Sequence, residues 1–246
     1  MGTGERAGAA LVLAAERLAG AVDRLRFGPP VAYVYNPLRY ARAAHRSYLQ
    51  RFGQAPKRVV FLGMNPGPWG MAQTGVPFGE VTAVRDWMGI EEQVGQPRRT
   101  HPKRPVWGFS VSRSEASGKR LWTLIRQRFG EPEVFFRDHF VGNYCPLLFF
   151  DEQGRNITPD RLPPADRQEL FWLCDEHLRS LLQELSPHWA LGIGRFAERR
   201  IRIVRDSGGL SALKVEGILH PSPANPQANR GWEARTEGKL ESLGIW

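Results

Sequence analysis

Cysteine is scarce in this chain. Only Cys145 and Cys174 occur in 246 residues, which excludes a disulfide framework and a four-cysteine zinc or iron-sulfur site and reads as a reducing compartment. Long apolar runs are missing as well. The stretch from Ala9 to Ala15 is broken at once by Glu16 and Arg17, and no later run reaches bilayer-spanning length. The expectation is a soluble, intracellular, cytoplasmic protein with no signal peptide and no membrane partner. Clustered carboxylates, a Walker-type phosphate loop and metal-ligand spacings are also lacking, which argues against phosphoryl transfer and metal-dependent chemistry. Lysine is the rare cation: of 34 basic residues only Lys57, Lys103, Lys119, Lys214 and Lys239 are not arginine.

The composition that remains is ordinary for a globular chain, with 41% hydrophobic and 24% charged residues. One domain over 1–246 is expected, with an amphipathic N-terminal helix at about 9–26 packed on it through Leu11, Ala15, Leu18, Val22 and Leu25. The formal net charge of +9 points to a polyanionic partner such as nucleic acid; a chain-wide preference for arginine is the other reading. Further helices are predicted over 38–50, over 117–129 with Ser117 as N-cap, and from Pro163-Pro164 to Pro187. In the last of these Leu170, Cys174, Leu178, Leu181 and Leu185 form the apolar face and His177 falls on the surface. Apolar runs at 58–62, 139–150, 189–194 and 213–219 read as strands, and 151–157 as a polar hairpin. Strands alternating with helices predict an α/β fold with a doubly wound sheet. Gly192-Ile193-Gly194 lacks the third glycine of a dinucleotide fingerprint.

Three strands end in polar side chains. The first delivers Asn65 into a loop, Gly63 to Gly79, dense in glycine, proline and aromatics but free of charge. Such a loop suits a flat, neutral, hydrogen-bonding ligand such as a nucleobase, although an Asn-Pro-Gly turn can also serve the backbone alone. Asn143 stands in an apolar strand, where its carboxamide either bonds a neighbouring loop or is kept for a ligand; its donor and acceptor match O4 and N3–H of uracil. His220 begins the Pro- and amide-rich segment His220 to Trp232, and a single histidine there is open to a structural reading. Arg98, Arg99, Lys103 and Arg104 punctuate a proline-rich loop that is either solvated or laid along a phosphate backbone. Arg195, Arg199, Arg200, Arg202 and Arg205 leave the same choice open.

The segments Gly63-Met64-Asn65-Pro66-Gly67-Pro68-Trp69 through Gly79, Asn143-Tyr144-Cys145-Pro146-Leu147, His220-Pro221-Ser222-Pro223 with Asn229-Arg230-Gly231-Trp232, and His101 to Val106 resemble the signatures of the single-strand-selective monofunctional uracil-DNA glycosylases. The resemblance covers roughly Tyr33 to Leu243. It implies the uracil-DNA glycosylase fold, a central four-stranded parallel sheet flanked by helices, and base excision without a cofactor or strand cleavage. It also implies a monomer acting on single-stranded and duplex DNA, at the nucleoid or in the nucleus.

The resemblance further implies roles for particular residues. Asn65 would position the attacking water and His220 would stabilise the leaving base, while Met64, Gly67, Phe78 and Asn143 would surround it. Lys103, Arg104, Ser222, Ala224, Asn225 and Arg230 would contact DNA. Gly67 would leave space beside uracil C5, so that 5-hydroxymethyluracil is also accepted. Animal members carry an arginine where this chain has Ala224, thought to fill the gap left by a flipped base, and the substitution puts duplex activity in question. A glycosylase for hypoxanthine or xanthine, or a non-catalytic nucleic-acid-binding module, are the alternatives.

Overall fold

The computed structural model describes residues 3–246, with side chains from Arg6 onward. Helix α1 (Thr3–Val22) opens the chain and buries Leu11, Ala15, Leu18 and Val22 along one side, as helical spacing requires. Periodicity extends this helix to about 26. It stops at Val22 because Asn36 donates to the Ala19 carbonyl at 3.2 Å and to Asp23 Oδ1 at 2.8 Å, closing its last turn. Strand β1 (Tyr33–Tyr35) follows, then helices α2 (Pro37–Tyr40) and α3 (Arg42–Phe52). The single helix expected over 38–50 is thus two, since Ala41 leaves helical geometry where it packs against Gly75.

Strand β2 (Val59–Gly63) is buried at every residue. Beyond it lie the one-turn helix α4 (Met71–Thr74), α5 (Ala116–Phe129) and α6 (Pro132–Asp138). The run 139–150, expected as one strand, is two: β3 (His139–Asn143) and β4 (Leu148–Phe150). Tyr144 and Cys145 still donate to the carbonyls of Gly63 and Met64 at 2.9 and 2.8 Å. Pro146 then offers no N–H with which to extend the ladder, and the chain crosses to a second sheet. There β4 runs antiparallel to β1 and to β5 (Asn156–Ile157). The polar turn expected at 151–157 joins β4 to β5, with Asp151 Oδ1 accepting from the N–H groups of Gln153 and Arg155 at 2.9 and 2.8 Å.

Helix α7 (Pro164–Leu185), β6 (Trp189–Ile193), α8 (Arg195–Asp206), β7 (Lys214–Ile218) and α9 (Trp232–Ser242) complete the chain. The main sheet has the order β3-β2-β6-β7 with every pair parallel. Its strands therefore all end on one edge, which in α/β folds is where ligands bind. Helix α1 packs on α3 and α7, and α8 on β6 and β7. His177, expected on the surface, is instead half-buried against α1 and borders a small cavity of about 30 Å³ together with His45. The periodicity of α7 does not reveal that α1 crosses that flank.

Candidate active site

A pocket of about 310 Å³ opens at the carboxyl edge of the main sheet. Met64 and Asn65 leave the end of β2, Asn143 ends β3, and His220 follows β7 by two residues; all four line the pocket with Gly67, Phe78 and Ser222. Every substrate-contacting and catalytic residue expected from sequence is therefore in one place. The paired backbones of Gly63-Met64 and Tyr144-Cys145 hold the first two strand ends together.

Each polar group has a defined orientation. Asn65 Nδ2 donates to the Leu147 carbonyl at 3.2 Å, which turns Oδ1 into the free acceptor. His220 Nδ1 accepts from the Ser222 N–H at 3.1 Å. The ring proton therefore sits on Nε2, and burial holds the imidazole's pKa down to about 4, so the ring is a neutral donor at ordinary pH. Asn143 Nδ2 reaches only the thioether of Met71 at 3.2 Å, and its Oδ1 is buried with no partner. An orphaned amide oxygen costs on the order of 1–3 kcal/mol, and a ligand N–H is what would satisfy it. The alternative bond to a neighbouring loop amounts to this one weak contact with sulfur.

Phe78 forms the aromatic wall, 6.2 Å from the His220 ring centroid. Its backbone is strained at φ 54° and is held there because its carbonyl accepts from Glu80 N–H at 2.7 Å and Trp122 Nε1 at 3.0 Å. A Cβ on Gly63 would fall 2.4 Å from Asn143 Oδ1 and 2.5 Å from the Phe78 ring, so only glycine lets both converge.

Glu115 is the pocket residue that sequence reasoning missed. Helix α5 begins at Ala116 with Glu115, and not Ser117, at the N-cap position. Its carboxylate accepts from the Trp69 N–H at 3.3 Å. Burial pushes that carboxyl up from the ordinary range, against the pull of the backbone N–H groups of Trp69 and Ser117. A Cβ on Gly67 would lie 2.3 Å from Glu115 Oε2. The space beside Gly67, expected to be open, is thus bordered by a carboxylate. An acidic residue in the polar stretch 112–115 has no local pattern to announce this role. Asn156 and Thr158, around the short strand β5, also line the pocket.

The residues expected to meet DNA lie outside the pocket, apart from Ser222. Ala224 and Arg230 are exposed, and Asn225 donates to the His220 carbonyl at 3.5 Å. Lys103 is exposed, whereas Arg104 is half-buried, donating through Nε to the Gly154 carbonyl at 2.8 Å and lying over Trp69. The arginines of α8 are largely committed within the protein: Arg200 pairs with Asp175 and covers Tyr144, Arg202 pairs with Glu198, and Arg205 with Asp206. Arg195 and Arg199 remain exposed. Among the described residues no group of three His, Cys, Asp or Glu side chains is placed to hold a metal ion.

A model of the uracil DNA glycosylase superfamily matches residues 50–238. Over 230 residues the chain is 51% identical to the single-strand selective monofunctional uracil-DNA glycosylase of Rattus norvegicus, which spans 93% of this chain and 82% of that protein. The protein of the same name from Bos taurus is 51% identical over 229 residues, covering 93% of this chain and 84% of its own. Among solved structures, wild-type SMUG2 of Pedobacter heparinus superposes with a TM-score of 0.66 at 16% identity, covering 94% of this chain and 97% of that one. At that identity the likeness speaks to the fold alone.

Proposed function

The chain belongs to the single-strand selective monofunctional uracil-DNA glycosylases of the uracil DNA glycosylase superfamily, and from that membership we propose that it hydrolyses the N-glycosidic bond of uracil flipped out of DNA, leaving an abasic site in an unbroken strand. The observation that carries the reading is the orphaned Asn143 Oδ1. It accepts from uracil N3–H while Nδ2 exchanges its weak sulfur contact for O4. Cytosine presents an unprotonated N3 and an amino group there, the opposite pattern. Phe78 stacks on the flipped base.

Cleavage moves the C1′–N1 bonding pair onto the base, where charge gathers at O2, and leaves the sugar cationic. His220 donates from Nε2 to O2, which suits a neutral ring that is already a donor at that nitrogen. Asn65 Oδ1 holds the water whose oxygen bonds to C1′; the released proton reaches the uracil anion through solvent. An amide supplies orientation but no full charge to the cationic sugar.

Glu115 supplies a reading of the C5 substituent. A 5-hydroxymethyl group donates to its carboxylate, whereas the methyl of thymine would cover that acceptor without a hydrogen bond. Uracil leaves that space to a water that keeps the carboxylate hydrogen-bonded, and the hydroxymethyl replaces the water's hydrogen bond, whereas a methyl displaces the water and leaves a buried acceptor unpaired. Uracil and 5-hydroxymethyluracil are therefore substrates and thymine is refused. The protein acts as a single-domain monomer at the nucleoid or in the nucleus, on single strands in preference to duplexes, since the methyl of Ala224 cannot fill a base-sized gap. No helix of the described residues is long and apolar enough to cross a membrane.

The test is excision from single-stranded and duplex oligonucleotides carrying one uracil, read as alkali-labile sites. Wild type is expected to release uracil from both, with Asn65→Ala and His220→Ala each about a hundredfold slower or worse, the usual scale for losing an oriented reactant or an oxyanion donor. A folded wild type that binds DNA and releases no uracil overturns the reading.

A further inference from the structure

Immediately beyond the pocket wall, the surface carries a cluster that base excision as described does not use. Trp69 follows Pro68, which lines the pocket. Its ring is stacked with that of Trp107, the centroids 6.4 Å apart and the planes 28° from parallel. Arg113 lies over Trp69 at 4.6 Å and Arg104 at 5.8 Å. Trp107 is 53% exposed, unusual for a tryptophan, which ordinarily buries most of its surface. None of Lys103, Arg104 and Arg113 forms a salt bridge among the described residues.

The cluster is rigidly joined to the catalytic loop. Gln73, almost wholly buried, donates to the carbonyls of Pro68 at 2.9 Å and Pro105 at 3.0 Å, and its Oε1 accepts from the Trp107 N–H at 2.8 Å. The Trp69 N–H in turn is held by Glu115. One buried amide thus ties the pocket wall to the exposed indole. An aromatic face beside guanidinium groups that have no carboxylate partner is the composition that binds single-stranded nucleic acid, bases on the ring and phosphates on the cations.

We propose that Trp107, backed by Trp69 and flanked by Arg104 and Arg113, is a stacking platform for an unpaired base of the same strand, next to the flipped uracil. In a duplex the neighbouring bases remain stacked and paired, so they cannot lie on Trp107. In a single strand they are free to do so. The platform therefore adds affinity only for unpaired substrates and contributes directly to single-strand selection. The proposal rests on the excision reading for its substrate but not for its surface.

The experiment compares wild type with Trp107→Ala and Trp107→Phe, using one uracil in a single-stranded 15-mer and the same uracil opposite guanine in duplex. Trp107→Ala is expected to raise KM on the single strand about tenfold, as loss of one base-aromatic stack implies. Its kcat on that strand and its KM on the duplex should stay within about twofold of wild type, and Trp107→Phe should restore most of the affinity. An unchanged single-strand KM, or equal losses on both substrates, overturns the platform. Fluorescence anisotropy with a uracil-free single strand separates the two readings. A tenfold weaker Kd for Trp107→Ala supports the platform even if wild type were to release no uracil, and an unchanged Kd sinks it even if excision is robust.

Discussion

Gly63 closes β2 without a side chain, and two groups use the vacated space: the Asn143 amide oxygen and the Phe78 ring. A methyl there must displace one of them. Gly63→Ala is expected to raise KM for uracil-containing DNA at least about tenfold and to lower stability by about 1–3 kcal/mol, the usual cost of overpacking. Steady-state kinetics with a urea titration check both. Glu115 is the residue on which the proposed reading of C5 rests. Replacing its carboxylate by the isosteric amide in Glu115→Gln keeps the shape but weakens the acceptor. The kcat/KM ratio of 5-hydroxymethyluracil to uracil is expected to fall about tenfold, because hydrogen bonds to an ionised acceptor are roughly twice as strong. A ratio that does not move would remove Glu115 from recognition.

His220, the proposed donor to the leaving base, depends on an element that has no regular structure. The segment from Leu219 to Gly231 is held at both ends: Trp232, fully buried at the start of α9, donates through Nε1 to the Leu219 carbonyl at 2.6 Å. Arg120, from α5, donates to the Pro221 carbonyl and to Asn229 Oδ1, each at 3.0 Å. Asn229 Nδ2 closes the loop on the Pro223 carbonyl at 2.9 Å. Arg120 touches no reacting atom and acts by positioning the His220 loop. For Arg120→Ala a roughly tenfold loss of kcat/KM is expected, with faster amide exchange confined to residues 220–231, since the oriented donor and the DNA-facing residues of that loop are loosened together. Uniform loosening of the whole protein would argue for a general stability role instead.

Across the molecule the net charge of +9 favours encounter with DNA and makes that encounter salt-dependent. A second global property comes from histidine. Of the six histidines, His45, His139, His177 and His220 are each held down to about 4, with burial the first cause in every case. Above the ordinary histidine value near 6.5 these rings are neutral in both the folded and unfolded states and add no pH dependence. Between about 6.5 and 4 the unfolded chain takes up protons that the folded protein refuses, so stability falls as pH falls, by up to about 1.4 kcal/mol per pH unit for each such ring. Urea midpoints should decline steeply from pH 6.5 to pH 4.5 and be flat, on the histidines' account, from pH 7 to pH 8. A midpoint independent of pH across the acidic window would contradict the burial of these rings.

Local chemistry was enough to announce much of this. Glycine and proline after an apolar run mark where β2 must stop, and a lone carboxamide at the end of β3 or an imidazole after β7 stands out against its neighbours. Alternation of strands and helices then puts Asn65, Asn143 and His220 on one edge, because parallel strands share the direction in which they end. The rest depends on partners distant in sequence. Nothing around Leu148 says that it leaves the main sheet to pair with β1, nothing in α7 says that α1 covers His177, and nothing around Arg200 says that Asp175 claims it. Above all, a glycine at 67 reads as empty space until the chain returns at Glu115 with a carboxylate beside it. Period and turn propensity are properties of a few consecutive residues, whereas what fills the room beside a glycine is decided only when the packed chain brings another segment there.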